Sequence, residues 1–138
     1  MGNEATLAIV GRDDNRVIIL AATKKMFTKD PVVVEASAML WALQLAKSHH
    51  FQSCIIERNA KICIDACIGK LDDCPWALCA ICHDVKCLLH SFTNVDFKWV
   101  KREANSTAHA LTKFASQSQV STFCTILIPS LPQCMRFG

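Results

Sequence analysis

The chain has 138 residues, 51% of them hydrophobic, and a formal net charge of +3. This length allows one well-buried core and is short for two ordinary domains. The basic residues are scattered among twelve acids, so the charge is only weak support for a polyanionic partner. Without a secretory signal pattern or a membrane-length apolar run, we expect an intracellular protein, nuclear or cytoplasmic, with no membrane partner.

Two apolar, β-branched runs stand near the start, at Ala5–Val10 and Arg16–Thr23. The polar cluster between them, Gly11 to Asn15, is rich in turn formers, so these residues are predicted to form an antiparallel hairpin. Asp30 followed by Pro31 is typical of a helix start. Apolar residues then recur at helical spacing, which predicts a largely buried helix.

The rest of the chain alternates between helical and strand patterns. The predicted elements are a strand at 52–57, helices at 59–68 and 76–90 separated by a loop at 71–75, a strand at 94–100 and a helix at 106–116. The order β-β-α-β-α-α-β-α, with helical crossovers, favours parallel pairing of the last two strands. We therefore expect an α/β domain over 1–117 and a C-terminal tail over 118–138 that is either docked or disordered.

Nine cysteines are many for a chain of this length. In an intracellular compartment thiols stay reduced, so we interpret most of them as core-filling side chains. Four have spacings that also suit a metal, redox or haem site, namely Cys74, Cys79, Cys82 and Cys87, with His83 directly after Cys82. Helical periodicity places Cys82 toward the core and favours packing, but the metal interpretation stays open.

Glu35 is the acid whose position is most informative. It is predicted to lie in the first turn of the apolar helix, where an ionised group is costly unless it faces a site or a cation. The alternative is a structural role, because an acid near a helix N-terminus is favourable. No P-loop, nucleophile-elbow or zinc-protease motif occurs in the sequence.

Three segments together carry a family resemblance. They are ATLAIVGRD at 5–13, VEASAMLWAL at 34–43 and KREANSTAHAL at 101–111. The most specific is the last, in which a basic residue and Glu-Ala-Asn directly precede a small-residue helix. From about Ala5 to Gln117 the chain resembles the ribonuclease H-type domains of plant proteins related to reverse transcriptases.

The resemblance implies a ribonuclease H-like fold, a mixed sheet with an antiparallel hairpin and parallel strands, flanked by helices. It also implies hydrolysis of RNA in RNA–DNA hybrids, by two Mg²⁺ or Mn²⁺ ions held on four carboxylates. Of these positions, Glu35 is retained as a metal ligand, whereas Asn59 and His109 replace acids. Metal binding and catalysis are therefore expected to be weak or absent, and no small-molecule cofactor is expected.

The fourth carboxylate of such domains lies on a first strand at the centre of the sheet, between the hairpin and the fourth strand. That strand should precede Ala5, and the chain begins at Met1. We therefore expect an N-terminally truncated domain that lacks the family's first strand and its aspartate.

Three functions stay open on the sequence. The first is a residual hybrid ribonuclease. The second is a non-catalytic module that binds nucleic acid or protein, with phosphate contacts from Lys98, Lys101, Arg102 and Lys113, although these side chains could equally form a solvated face. The third is a degenerate mobile-element fragment without a selected function. The sequence indicates no oligomeric state.

Overall fold

The computed structural model describes residues 4–28, 30–58, 64–65, 76–100 and 122–129. The elements within these ranges are β1 (Glu4–Arg12), β2 (Ile18–Phe27), α1 (Pro31–Ser48), β3 (Ser53–Arg58), α2 (Trp76–Leu89), β4 (Asn94–Trp99) and β5 (Thr122–Leu127). The predicted loop at 71–75, the predicted helix at 106–116 and most of the one at 59–68 lie outside the described residues. In the described part, no helix is long and apolar enough to cross a membrane.

The hairpin prediction is confirmed, with longer strands than the sequence indicated. β1 and β2 pair antiparallel from Glu4 opposite Phe27 onward. The turn is held by Asp13, whose Oδ1 accepts hydrogen bonds from the backbone N–H groups of Asn15 and Val17, each at 2.9 Å. This aspartate-centred turn explains why the polar cluster reverses the chain.

Helix α1 begins at Pro31, as the pair Asp30 and Pro31 in the sequence had indicated. Asp30 is the N-cap, and its Oδ1 accepts a hydrogen bond from the backbone N–H of Val32 at 3.0 Å. Pro31 has no N–H to leave unsatisfied in the first turn. The helix buries residues on several sides, as its few polar positions predicted: Val34, Ala36, Ala38, Met39, Ala42, Leu43 and Ala46.

The strands form one five-stranded mixed sheet in the order β2-β1-β5-β3-β4. β3 and β4 are parallel, as the helical crossover between them predicted. β5 is the central strand, and it runs parallel to β1 and antiparallel to β3. The mixed sheet and its flanking helices confirm the predicted fold class.

The central strand comes from the C-terminal tail. The sequence left open whether this tail docks on the domain or is disordered. Thr122–Leu127 lies between β1 and β3, the position in which the resemblance places the family's first strand. Cys124 and Ile126 are fully buried there and belong to the main core cluster. This part of the tail therefore belongs to the core.

The main core lies between one face of the sheet and the two helices. Leu7 and Ile9 of β1, Cys124 and Ile126 of β5, and Ile56 of β3 contribute their side chains to it. From α2, the core receives Leu78, Cys82 and Val85. This packing fixes α1 across the central strands and brings its N-terminal half to the end of β3.

Candidate functional site

Glu35 and Arg58 form an ion pair at the end of β3. Glu35 is the fifth residue of α1, so it lies one residue beyond the first turn in which the sequence had placed it. The helix dipole acts mainly within the first turn, which weakens the interpretation of Glu35 as an acid placed for the dipole. Its carboxylate instead contacts the guanidinium of Arg58 directly.

Arg58 is a fully buried cation. It is the last residue of β3, where Cys54, Ile56 and Arg58 alternate onto the buried face of the strand. A buried guanidinium is tolerated only where an acid compensates its charge. Glu35, with its side chain 24% exposed, provides that charge from the helix above.

Cys124 brings a neutral thiol to the same place. Burial raises its pKa to about 11, although the charge and hydrogen bond of the Arg58 guanidinium act in the opposite direction. The Cys124 Sγ also lies 3.8 Å from the backbone oxygen of Glu57, to which it donates. At neutral pH this thiol is therefore protonated and adds no negative charge to the site.

The neighbouring strand β4 forms the outer edge of the site. Trp99 is in register with Arg58, and the backbone N–H of Val100 donates to the Arg58 carbonyl oxygen at 2.8 Å. Paired residues of adjacent strands point to the same face, so Trp99 lies on the face that carries the ion pair. Lys98, one residue earlier, points to the other face and is exposed.

Of the predicted site residues, the structure describes Glu35 and Lys98. Five others lie outside the described residues: Asn59, Lys101, Arg102, His109 and Lys113. Sequence reasoning missed Arg58 and Cys124. Arg58 could have been found, because a cation at a buried position of an alternating strand requires an acidic partner.

Of the four cysteines with metal-like spacing, Cys74 lies outside the described residues, and the three on α2 divide between core and surface. Cys82 is buried, as predicted, whereas Cys79 and Cys87 are exposed. The Cys87 Sγ lies 3.6 Å from His83 Nε2. Among the described residues, no group of three or more His, Cys, Asp or Glu side chains could hold a metal ion.

The described part of the site does not fit a divalent metal ion. Such an ion requires oxygen ligands whose negative charge is available to it. The carboxylate of Glu35 is already neutralised by Arg58, and the nearby Cys124 thiol is protonated. A guanidinium thus provides the positive charge that a metal ion supplies in a carboxylate site.

Solved structures share this fold at low sequence identity. Ribonuclease H1 from the halophilic archaeon Halobacterium salinarum NRC-1 superposes with a TM-score of 0.68 and 15% identity, over 81% of this chain and 99% of that one. The N-terminal ribonuclease H domain of rv2228c from Mycobacterium tuberculosis gives 0.62 and 14%, over 75% and 90%. The fold is therefore that of a ribonuclease H-like domain.

The sequence itself identifies the family. The model of the family described as reverse transcriptase-like matches residues 2–115, most of the chain. The protein belongs to this reverse transcriptase-like family, which confirms the resemblance to ribonuclease H-type domains related to reverse transcriptases. Among curated proteins, no sequence matches this chain.

Proposed function

We propose that this protein is a ribonuclease H-type domain that binds nucleic acid without hydrolysing it. The observation that carries the proposal is the ion pair between Glu35 and the buried Arg58. The family is one of divalent-metal-dependent ribonucleases, and Glu35 is the only carboxylate that the sequence retains at a family position. In the ion pair this carboxylate already has Arg58 as its partner. Binding survives such a change, whereas metal-dependent cleavage does not.

The chemistry of hydrolysis explains the loss. In two-metal sites one ion activates the attacking water and the other stabilises the leaving oxygen, and carboxylates balance the charge of both. Here Glu35 balances Arg58 instead, and Asn59 and His109 offer no negative charge in place of the family's acids. The three matched family positions thus lack the charge to hold two divalent ions.

The same ion pair favours binding of a polyanion. An unpaired carboxylate would repel a phosphodiester backbone, but the positive charge of Arg58 cancels that of Glu35. Lys98 is exposed on the adjacent strand, on the face opposite the ion pair, and Lys101, Arg102 and Lys113 follow in the sequence. Phosphate contacts of these four residues require no metal ion. RNA–DNA hybrids are the partner to test first, and the nucleus or the cytoplasm is the expected compartment.

The cleavage test uses a labelled RNA–DNA hybrid with Mg²⁺ or Mn²⁺. We expect no product from the purified chain. The Glu35→Gln variant, purified in the same way, reveals any contaminating nuclease. Metal-dependent cleavage by the wild type that disappears in this variant would overturn the proposal, because it would place Glu35 at a working metal site.

The binding test follows hybrid affinity as salt rises. Four phosphate contacts predict a loss of about 100-fold in affinity between 50 and 200 mM salt. Lys98→Ala should reduce the slope of log K against log salt by about one, whereas Lys86→Ala, an exposed lysine on α2, should leave the slope unchanged. Affinity that does not depend on salt would exclude these phosphate contacts.

A further inference from the structure

His83 and Cys87 lie one helical turn apart on the outer face of α2. Both side chains are exposed, and the Cys87 Sγ lies 3.6 Å from His83 Nε2. Residues four positions apart on a helix are neighbours on its surface, so the helix itself holds these two atoms side by side. The opposite face of α2 is buried through Leu78, Cys82 and Val85 and anchors the helix to the core. The pair is therefore presented to solvent on a fixed backbone.

The separation of the two atoms matches the spacing of ligands on a zinc ion. Zn²⁺ binds thiolate sulfur at about 2.3 Å and imidazole nitrogen at about 2.1 Å with tetrahedral angles, which puts sulfur and nitrogen about 3.6 Å apart. The distance between Cys87 Sγ and His83 Nε2 has this value. Thiolate and imidazole also suit zinc, whereas Mg²⁺ requires oxygen ligands. One zinc ion can thus contact both atoms without a rearrangement of α2.

Two ligands fill half of a structural zinc site, in which four protein side chains are usual. In the described part of the chain, no third His, Cys, Asp or Glu side chain completes the set. One thiolate also balances only half of the charge of the ion. Asp84 and Lys86, which lie between the two ligands in the sequence, are exposed and opposite in charge, so together they add no net charge. The described residues of one chain therefore provide half of a site.

The surface around the pair allows a second copy of the chain to supply the other half. Trp76 and Ala80 continue the face of His83 and Cys87 toward the start of α2, and both are exposed. None of these four residues is an acid, a lysine or an arginine, and Ala80 is small, so a second α2 helix can approach closely. About a two-fold axis, two copies bring two imidazoles and two thiols to one point. This Cys₂His₂ set is a usual structural zinc site, and its two thiolates balance the charge of the ion.

We propose that His83 and Cys87 of two copies of this chain bind one Zn²⁺ ion between them. On binding, each Cys87 thiol releases its proton to the solvent. Each His83 binds through the lone pair of Nε2, while Nδ1 keeps the hydrogen. No oxidation or reduction takes place. The site uses neither Glu35 nor Arg58, so it does not depend on the proposed function.

Zinc titration of the full chain tests the proposal, with a phosphine reductant present so that no disulfide forms. Light scattering after size exclusion should give twice the mass of one chain in zinc and the mass of one chain in EDTA. Metal analysis of the dimer should give one ion for two chains. With Co²⁺ in place of zinc, the thiolate-to-cobalt charge-transfer band and the visible bands of tetrahedral Co²⁺ should appear.

Substitutions of the two ligands test which residues hold the ion. Cys87→Ser and His83→Gln should each abolish the dimer and the cobalt bands, because each removes two of the four ligands. The matched controls are Cys79→Ser and His90→Gln, which change an exposed cysteine on α2 and an exposed histidine just after it. Both controls should keep the dimer and its metal content. All four positions are exposed, so the circular dichroism spectrum of each variant should equal that of the wild type.

The possible outcomes separate the shared site from its alternatives. An equal mass in zinc and in EDTA would exclude a zinc-bridged dimer. One ion bound per monomeric chain would show that all ligands come from the same chain and would overturn the sharing. Loss of the dimer in Cys79→Ser to the same degree as in Cys87→Ser would assign the thiolate to a different cysteine. Zinc-dependent dimers that both ligand variants abolish and both controls keep would confirm the proposal.

Discussion

Replacing Glu35 by Gln should destabilise the protein, and the sign of this effect identifies the kind of site that Glu35 occupies. In a cluster of carboxylates that binds metal, removal of one acid relieves repulsion between like charges and stabilises the apo protein. In this structure the substitution removes the counter-charge of Arg58, whose side chain is fully buried. The guanidinium would then lose the charge of Glu35 while it stays in the protein interior.

The expected magnitude follows from the burial of the two partners. Removal of one partner of a buried ion pair costs about 3–5 kcal/mol. Because Glu35 is about a quarter exposed, water screens part of the interaction and the lower limit, about 3 kcal/mol, applies. With a urea m-value of about 1.5 kcal/mol/M, the unfolding midpoint should fall by about 2 M.

Urea unfolding followed by circular dichroism measures this shift. Glu4→Gln is the matched control, since Glu4 forms a 3.8 Å ion pair with Lys25 in which both side chains are more than half exposed. That substitution should change stability by less than about 1 kcal/mol. In Glu35→Gln/Arg58→Met both charges are removed, so much of the loss should be recovered. A Glu35→Gln protein as stable as the wild type would refute the pairing.

Two further predictions concern the buried thiols of β3 and β5 and the central position of β5. Burial raises the pKa of Cys54 to about 12 and that of Cys124 to about 11, from 9.0. The two thiols therefore ionise at lower pH in the unfolded chain than in the folded one, so stability should fall as pH rises from about 9 toward these values. Urea unfolding across pH 8–11 measures this loss, and a Cys54→Ala/Cys124→Ala variant with the same pH dependence would exclude these thiols as its source. In β5, Ile126→Ala should cost about 2–5 kcal/mol because its side chain is fully buried, whereas Ile19→Ala on the exposed side of β2 should cost far less. Equal midpoints for these two variants would contradict the central position of β5.

Most of the described elements could be predicted from local signals. The turn residues around Asp13, the cap formed by Asp30 and Pro31, and the alternation in β3 each act over a few residues, and a single sequence displays them directly. The position of β5 could not be predicted in this way. Its pairing with β1 joins residues more than a hundred positions apart, and an apolar run does not reveal which strands will flank it.

Only part of the site could be predicted, because sequence patterns identify residue types more readily than they identify contacts. The resemblance assigned Glu35 to a metal ion, and in the structure its carboxylate contacts the guanidinium of Arg58. Arg58 stands next to Asn59, one of the family positions. Only the packing of α1 over the end of β3 shows that the acid and the guanidinium meet.

The retention of Glu35 is therefore not evidence of catalysis. A buried Arg58 requires a negative charge in contact with it, and the Cys124 thiol beside it is protonated at neutral pH because its pKa is about 11. Glu35 is consequently needed as the partner of Arg58 for the sheet and helix to pack, whether or not any phosphodiester bond is cut.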